Sequence, residues 1–270
     1  MTTEEQFNQA LEELKAKNAD RLITIWIPSE NRGVEFKHLT LNQQKSLIKS
    51  SVRENLLKLD FSRNIYDIIK ENIADKEVDV DKLNIIDMIS IGLSYRAIDI
   101  SEEYGFYIGE DFHPVDLRDI CEHVRKVNYD KALKPETIVS DGFHVTVQVP
   151  TIQTDKQMND YLFEKYKDLP DDPESVKDIL ADVYICEAAK YITTVDMVTG
   201  DDDPDNPPTQ VNFSDFSAEQ RLKAMDQIPL TILNKLVVMS DKVQDIESQL
   251  LDVEIGGENI SIEINSAFFT

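Results

Sequence analysis

Glycine occupies only eight of 270 positions, and no G-x-G-x-x-G, P-loop or G-x-S-x-G pattern occurs among them. Backbone cradles for phosphate and nucleophile elbows therefore have no basis in this sequence. Cysteine is scarcer still: Cys121 and Cys186 lie in segments that read as helices, too few and too far apart for a disulfide framework or a metal knuckle. Two buried thiols in a reducing, intracellular setting are expected. The four histidines, His38, His113, His123 and His144, show no metal-ligand spacing and read as structural. Apolar runs stay short, as at Leu236–Met239, so no membrane span is expected. The polar first twenty residues do not read as a secretory signal. Positive charge is also thin, with 28 Lys and Arg against 52 Asp and Glu, a net charge of −24. That balance opposes attraction to nucleic acid or anionic lipid and leaves room for basic protein surfaces.

What is present is patterned apolar sequence. In the stretch Leu22 to Ser51, Ile23, Ile25 and Ile27 alternate with Thr24 and Trp26, and Val34 and Phe36 resume the alternation after turn residues 28–33. A β-hairpin with a long loop follows from that pattern. Thr40 and Gln43 form a capping box for a helix with Leu41, Leu47, Ile48, Ser51 and Val52 on one face. A second helix is announced by Phe61 and Ser62. A third, from Asp81 as its cap to about Ser101, carries the stripe Leu83, Ile86, Ile89 and Leu93. Residues 102–114 read as a loop or short strands, and 115–127 as a helix.

His144 to Val149 alternates as a strand and ends at Pro150; the hairpin at 23–36 is its expected partner, giving a small antiparallel sheet of at least three strands. Residues 155–167 and 174–194 read as helices. The run GDDDPDNPP at 200–208 permits neither helix nor central strand and reads as an exposed loop. Ser217 caps a further helix. From Pro229 a long helix follows whose Ile232, Leu236, Met239, Val243, Ile246 and Leu250 alternate steps of four and three, the spacing of a helix-packing seam. A terminal hairpin turns at Gly256-Gly257, and Phe268-Phe269 close the chain. Such a pair needs a pocket on this chain or on a neighbour. The expected fold is α+β and mainly helical, in three parts: an N-terminal helical segment (1–20) docked on the body, an α+β domain (21–150), and a helical domain with acidic loop and terminal hairpin (151–270).

Two strings suggest chemistry. The four Asp of the 200–208 loop offer hard oxygen ligands, but proline breaks the spacing of a Ca²⁺ loop and no closing Glu follows. Glu35-Phe36-Lys37 matches the E-x-K element of Mg²⁺-dependent nucleases, which would make a metal-dependent enzyme the minor alternative. A strand with a wet polar face gives the same string, and the negative charge opposes a nucleic-acid substrate. No catalytic residue, metal site, cofactor or small-molecule ligand is therefore assigned.

The segments IPSENRGVEFKHLTLNQQKSLIKS, LNIIDMISIGLSYRAI with Leu83, Asp87 and Arg96, the strand closing on Pro150, the Pro229 helix and the final SAFF occur in an order that resembles the baseplate hub proteins of T-even-type contractile-tailed phages, a group of hub subunits and hub assembly chaperones. The resemblance spans Ile23 to Phe269. Members of that group often carry a cysteine pair before the last strand; residues 242–260 here have none, so a structural zinc is not implied. What it implies is a non-enzymatic protein made in the host cytoplasm that binds other baseplate hub or tail proteins and, as a hub subunit, is retained in the virion. A tail or tape-measure chaperone absent from the mature particle is the alternative. On this reading the partner-contact candidates are Trp26, Phe36, Ile232, Leu236, Met239, Val243, Ile246, Leu250, Phe268 and Phe269.

Overall fold

The computed structural model describes residues 2–19, 21–52, 59–140, 142–166, 173–197 and 209–270. The 200–208 loop lies outside them. The class is α+β, mainly helical with small antiparallel sheets.

Helix α1 (Thr3–Ala19) precedes the hairpin of β1 (Leu22–Ile27) and β2 (Arg32–Lys37), which pairs Ile25 with Val34 and Ile23 with Phe36. The alternation places Ile23, Ile25, Ile27, Val34 and Phe36 on one buried face. Helix α2 (Leu41–Val52) opens with the expected capping box, Thr40 and Gln43 each bonding the other's backbone N–H. Its Leu47 is buried, whereas Leu41 points to solvent. Helix α3 (Leu59–Asn72) buries Phe61, Ile65, Ile68 and Ile69.

The helix expected from 82 to 101 is three elements. A 3₁₀ turn (Val80–Lys82) is capped by Asp79, and Asn84 then starts α4 (Ile85–Tyr95) through a capping box with Asp87. From Arg96 the chain widens into a π-helix (Arg96–Ile100), closed by the Ser101 N–H on the Arg96 carbonyl. Strands β3 (Glu103–Ile108) and β4 (Asp111–Asp116) form a hairpin, followed by α5 (Leu117–Val124) and the single turn α6 (Asp130–Leu133).

The central strand, β6 (Phe143–Val147), does not pair with the first hairpin. It lies between β5 (Glu136–Ser140) and β7 (Ile192–Met197), with β8 (Thr209–Asn212) outermost, in a four-stranded antiparallel sheet. The free edge of β2 is already occupied, because the Glu35 carbonyl accepts from Ala74 and Asp75 and Phe36 bridges to Ile73. The β-branched run Ile192-Thr193-Thr194-Val195 favours strand, which ends the preceding helix short of Thr194.

Helix α7 (Ile152–Tyr166) starts where residues 150–152 stitch onto α4, Ile85 N–H to the Pro150 carbonyl and Ile152 N–H to the Leu83 carbonyl. Helix α8 (Pro173–Tyr191) leads into β7, and α9 (Ala218–Met225) is capped by Ser217 with Gln220. The long α10 (Leu230–Leu251) runs into the hairpin β9 (Asp252–Ile255) and β10 (Glu258–Ser261), and a 3₁₀ turn, Ser266–Phe269, follows. One continuous apolar core contains residues from both sides of Pro150. Helix α1 differs from expectation: Phe7 is 65% and Leu11 39% exposed, so these two apolar side chains are not covered by the body.

Candidate protein-contact surfaces

The Ser266–Phe269 turn closes a buried knot. Asn265 caps it by accepting from the N–H groups of Ala267 and Phe268 (2.9 and 3.2 Å). The two rings meet edge to face at 5.5 Å; Phe268 also packs on Tyr104 (5.0 Å), and Phe269 on Phe61 (5.9 Å). At Gly92 a β-carbon would stand 3.0 Å from Ile264 Cγ2, so α4 needs this glycine for the terminal segment to lie against it.

Arg96 holds the knot from inside. Its Nε donates to the Phe268 carbonyl and its Nη1 to the Ser101 carbonyl, both at 2.7 Å. Burial pushes the guanidinium below its ordinary pKa, with the Tyr104 phenol offsetting. Gln44 of α2 donates to the Phe269 carbonyl at 3.0 Å. Arg96, which reaches both carbonyls, is the first residue of the π-helical widening.

Asp87 forms the second tie. It accepts from the Ser29 N–H and hydroxyl (2.8 and 2.6 Å) and from the Asn84 N–H (2.8 Å). Burial drives its carboxyl up to about 6, and the hydrogen bonds from Ser29 and Asn84 act the other way. Asp87 thus ties the turn of the first hairpin to the start of α4, and the chain after β6 joins there through the Ile85 N–H on the Pro150 carbonyl. Asp99 makes a third tie, binding the His38 ring and the Leu39 N–H.

Of the ten contact candidates, Phe36, Ile232, Leu236, Met239, Val243, Ile246, Leu250, Phe268 and Phe269 lie in this chain's own core, and Trp26 is half-buried. The α10 seam packs on this chain's α4, α5 and α8. Glu35 is exposed and Lys37 reaches the Glu71 carbonyl at 3.5 Å. Among the described residues, no group of three or more His, Cys, Asp or Glu is placed to hold a metal ion, and no helix is long and apolar enough to cross a membrane. Both thiols are free; Cys186 is buried, which pushes it up to about 12, and Cys121 is half-buried.

Two open surfaces were not legible as sites. The β3–β4 hairpin carries Tyr107 and Phe112 opposite each other, 75% and 48% exposed, with rings 5.2 Å apart. Phe112 also lies over Gly105, where any β-carbon would collide with its ring. The alternating aromatics and glycines of residues 104–112 were the available signal. The other surface is a run of three adjoining clefts along α10, of about 560, 320 and 190 Å³. Gln244 and Glu247 of α10 are shared between them, as are Glu187 of α8 and Met88 of α4. In the middle cleft Lys190 is buried, its Nζ 2.7 Å from Asp155 and 2.5 Å from Glu187. Burial alone pushes this ammonium down, and the two facing carboxylates more than reverse that.

Comparison with known proteins finds no family model, no curated protein and no solved structure that matches this chain.

Proposed function

We propose that this chain is a non-enzymatic component that binds other proteins during assembly of a phage tail baseplate hub, made in the host cytoplasm. The reading rests on the ordered resemblance of its segments to hub proteins. One observation supports it: the segments that carry the resemblance converge on the same buried ties, Ser29 with Asp87, Arg96 with Phe268, and Gln44 with Phe269. Asp87 and Arg96, the polar residues that stand out in the sequence, direct their hydrogen bonds at this chain's own backbone and hydroxyls. Their role on this reading is architectural, and the exposed Tyr107–Phe112 pair and the α10 clefts are the surfaces left for partners.

Quantitative mass spectrometry of purified particles, with infected-cell lysate as reference, tests it. Several copies per particle in fixed ratio to hub proteins mark a hub subunit. Abundance in lysate, in complexes with tail proteins but absent from particles, marks an assembly chaperone. Absence from both particles and tail-protein complexes contradicts the proposal.

A further inference from the structure

The three clefts adjoin along one face of α10, from Leu233 to Leu251. At 1.5 Å per residue that face is about 27 Å long, the length of a five-turn helix. Its character is uneven in a useful way. The floor is apolar, with Tyr184, Tyr191, Leu233 and Leu236 at one end and Met88, Ile89 and Ile262 at the other. Leu180 and Tyr184, one turn apart on α8, extend it to solvent at 60% and 54% exposure. The polar lining is nearly all of one sign: Asp155, Glu187, Asp241, Glu247 and Glu263 against the single ammonium of Lys190. Lys190 is already engaged by Asp155 and Glu187, whereas Glu247 takes part in no ion pair among the described residues.

We infer that this groove receives an amphipathic helix of a different, basic protein, whose apolar stripe covers the floor and whose Lys or Arg side chains meet Glu247 and Asp241. The inference rests on the reading that the chain works by binding proteins, and needs nothing of its place in a baseplate. Charge selects the occupant. The exposed apolar stripe of α1 has the right shape, but that helix carries Glu4, Glu5, Glu12 and Glu13 against Lys15 and Lys17. A second copy of the chain would bring another −24 to an acidic groove. A cation over Glu247 would also relieve a cost present in the free protein, since burial and the like charges of Glu187 and Asp155 raise its carboxyl above the ordinary value.

The test uses the full-length chain and a synthetic 18-residue peptide with leucines at helical i, i+3, i+4, i+7 spacing and lysines elsewhere. A scrambled peptide of the same composition, which has no apolar face, is the control for bulk charge attraction. Calorimetric titration is expected to give the patterned peptide at least tenfold tighter binding than the scrambled one. Tyr184→Ala and Asp241→Lys, both at exposed positions, should each weaken the patterned peptide at least fivefold. Asp67→Lys, an equal charge change on the exposed face of α3, should change it less than twofold. Equal affinity for the two peptides, or groove variants that bind like the unaltered chain, overturns the assignment. If neither peptide binds while the chain still co-purifies with tail proteins, the groove falls and the protein-binding role stands.

Discussion

The knot around Arg96 and the groove along α10 are built from the same materials and treat them in opposite ways. In the knot every charged group faces a partner supplied by the chain itself: Arg96 has two carbonyls, Asp87 has Ser29 and Asn84, and the aromatic rings of Phe268 and Phe269 are fully covered. In the groove, Leu180 and Tyr184 stand exposed and Met88 and Leu233 half-buried above a floor of core residues such as Leu236 and Ile262, and carboxylates outnumber cations. A buried polar group with all its bonds made fixes one arrangement of the chain, because any other leaves a desolvated donor or acceptor unpaired. An apolar rim open to solvent, with excess charge beside it, fixes nothing internally. The lesson is that the residues most conspicuous in the sequence serve the fold, while the surfaces open to partners are made of unremarked ones.

The sharpest way to break this contrast is to cut into the knot. Phe268→Ala and Phe269→Ala should each lower unfolding free energy by about 4 kcal/mol in urea titration, the cost of emptying a fully packed aromatic site. A loss below about 1 kcal/mol would mean that the terminal turn does not complete the core. Arg96→Leu should cost about 3 kcal/mol, since two buried carbonyls lose their donors.

A pH titration separates Asp87 from its surroundings. A carboxyl with a folded pKa near 6 contributes stability that is complete below the ordinary carboxylate range, near pH 4, and is lost as pH rises through about 6. Relative to Asp87→Asn, the unaltered chain should therefore lose roughly 2 to 3 kcal/mol between pH 4 and pH 7. Glu247, also raised, moves stability the same way in both proteins and cancels. A flat difference across that range would place the charged form of Asp87 at no disadvantage in the fold.

The smallest effect on stability belongs to the open surface. Tyr107→Ser, at a side chain 75% exposed, should change unfolding free energy by no more than about 0.5 kcal/mol. On the proposed hub-assembly role, the same substitution should reduce recovery of co-purifying proteins when the tagged chain is isolated from phage-infected cells. Intact recovery would remove the hairpin from the contact surface and leave the groove.

Much of the fold was legible because local signals agreed with their surroundings. The alternation in β1 and β2, the Thr40–Gln43 box, the Ser217 cap and the α10 seam all appear where their patterns predict. The failures have physical causes. Strand pairing is a long-range choice, and nothing in residues 143–147 tells whether residues 32–37 or 192–197 lie beside them. Asp81 looks like a helix cap, yet Asn84 caps α4, because its side chain forms a box with Asp87 that Asp81 does not form. The seam residues of α10 read equally as an interface or a core, since both ask for apolar side chains at the same spacing; only the packing partners distinguish them. The groove had no signature at all, being assembled from α3, α4, α7, α8, α10 and the terminal segment.

Under the proposed role in hub assembly, hydrogen exchange on the chain isolated from phage-infected cells with whatever proteins accompany it, compared with the chain alone, is the most direct test. Added protection is expected in α8, along the groove face of α10 and in the β3–β4 hairpin, with the amides of α4 and the Ser266–Phe269 turn unchanged. Protection gained only at that turn and α4, with the groove and hairpin unaltered, would contradict it.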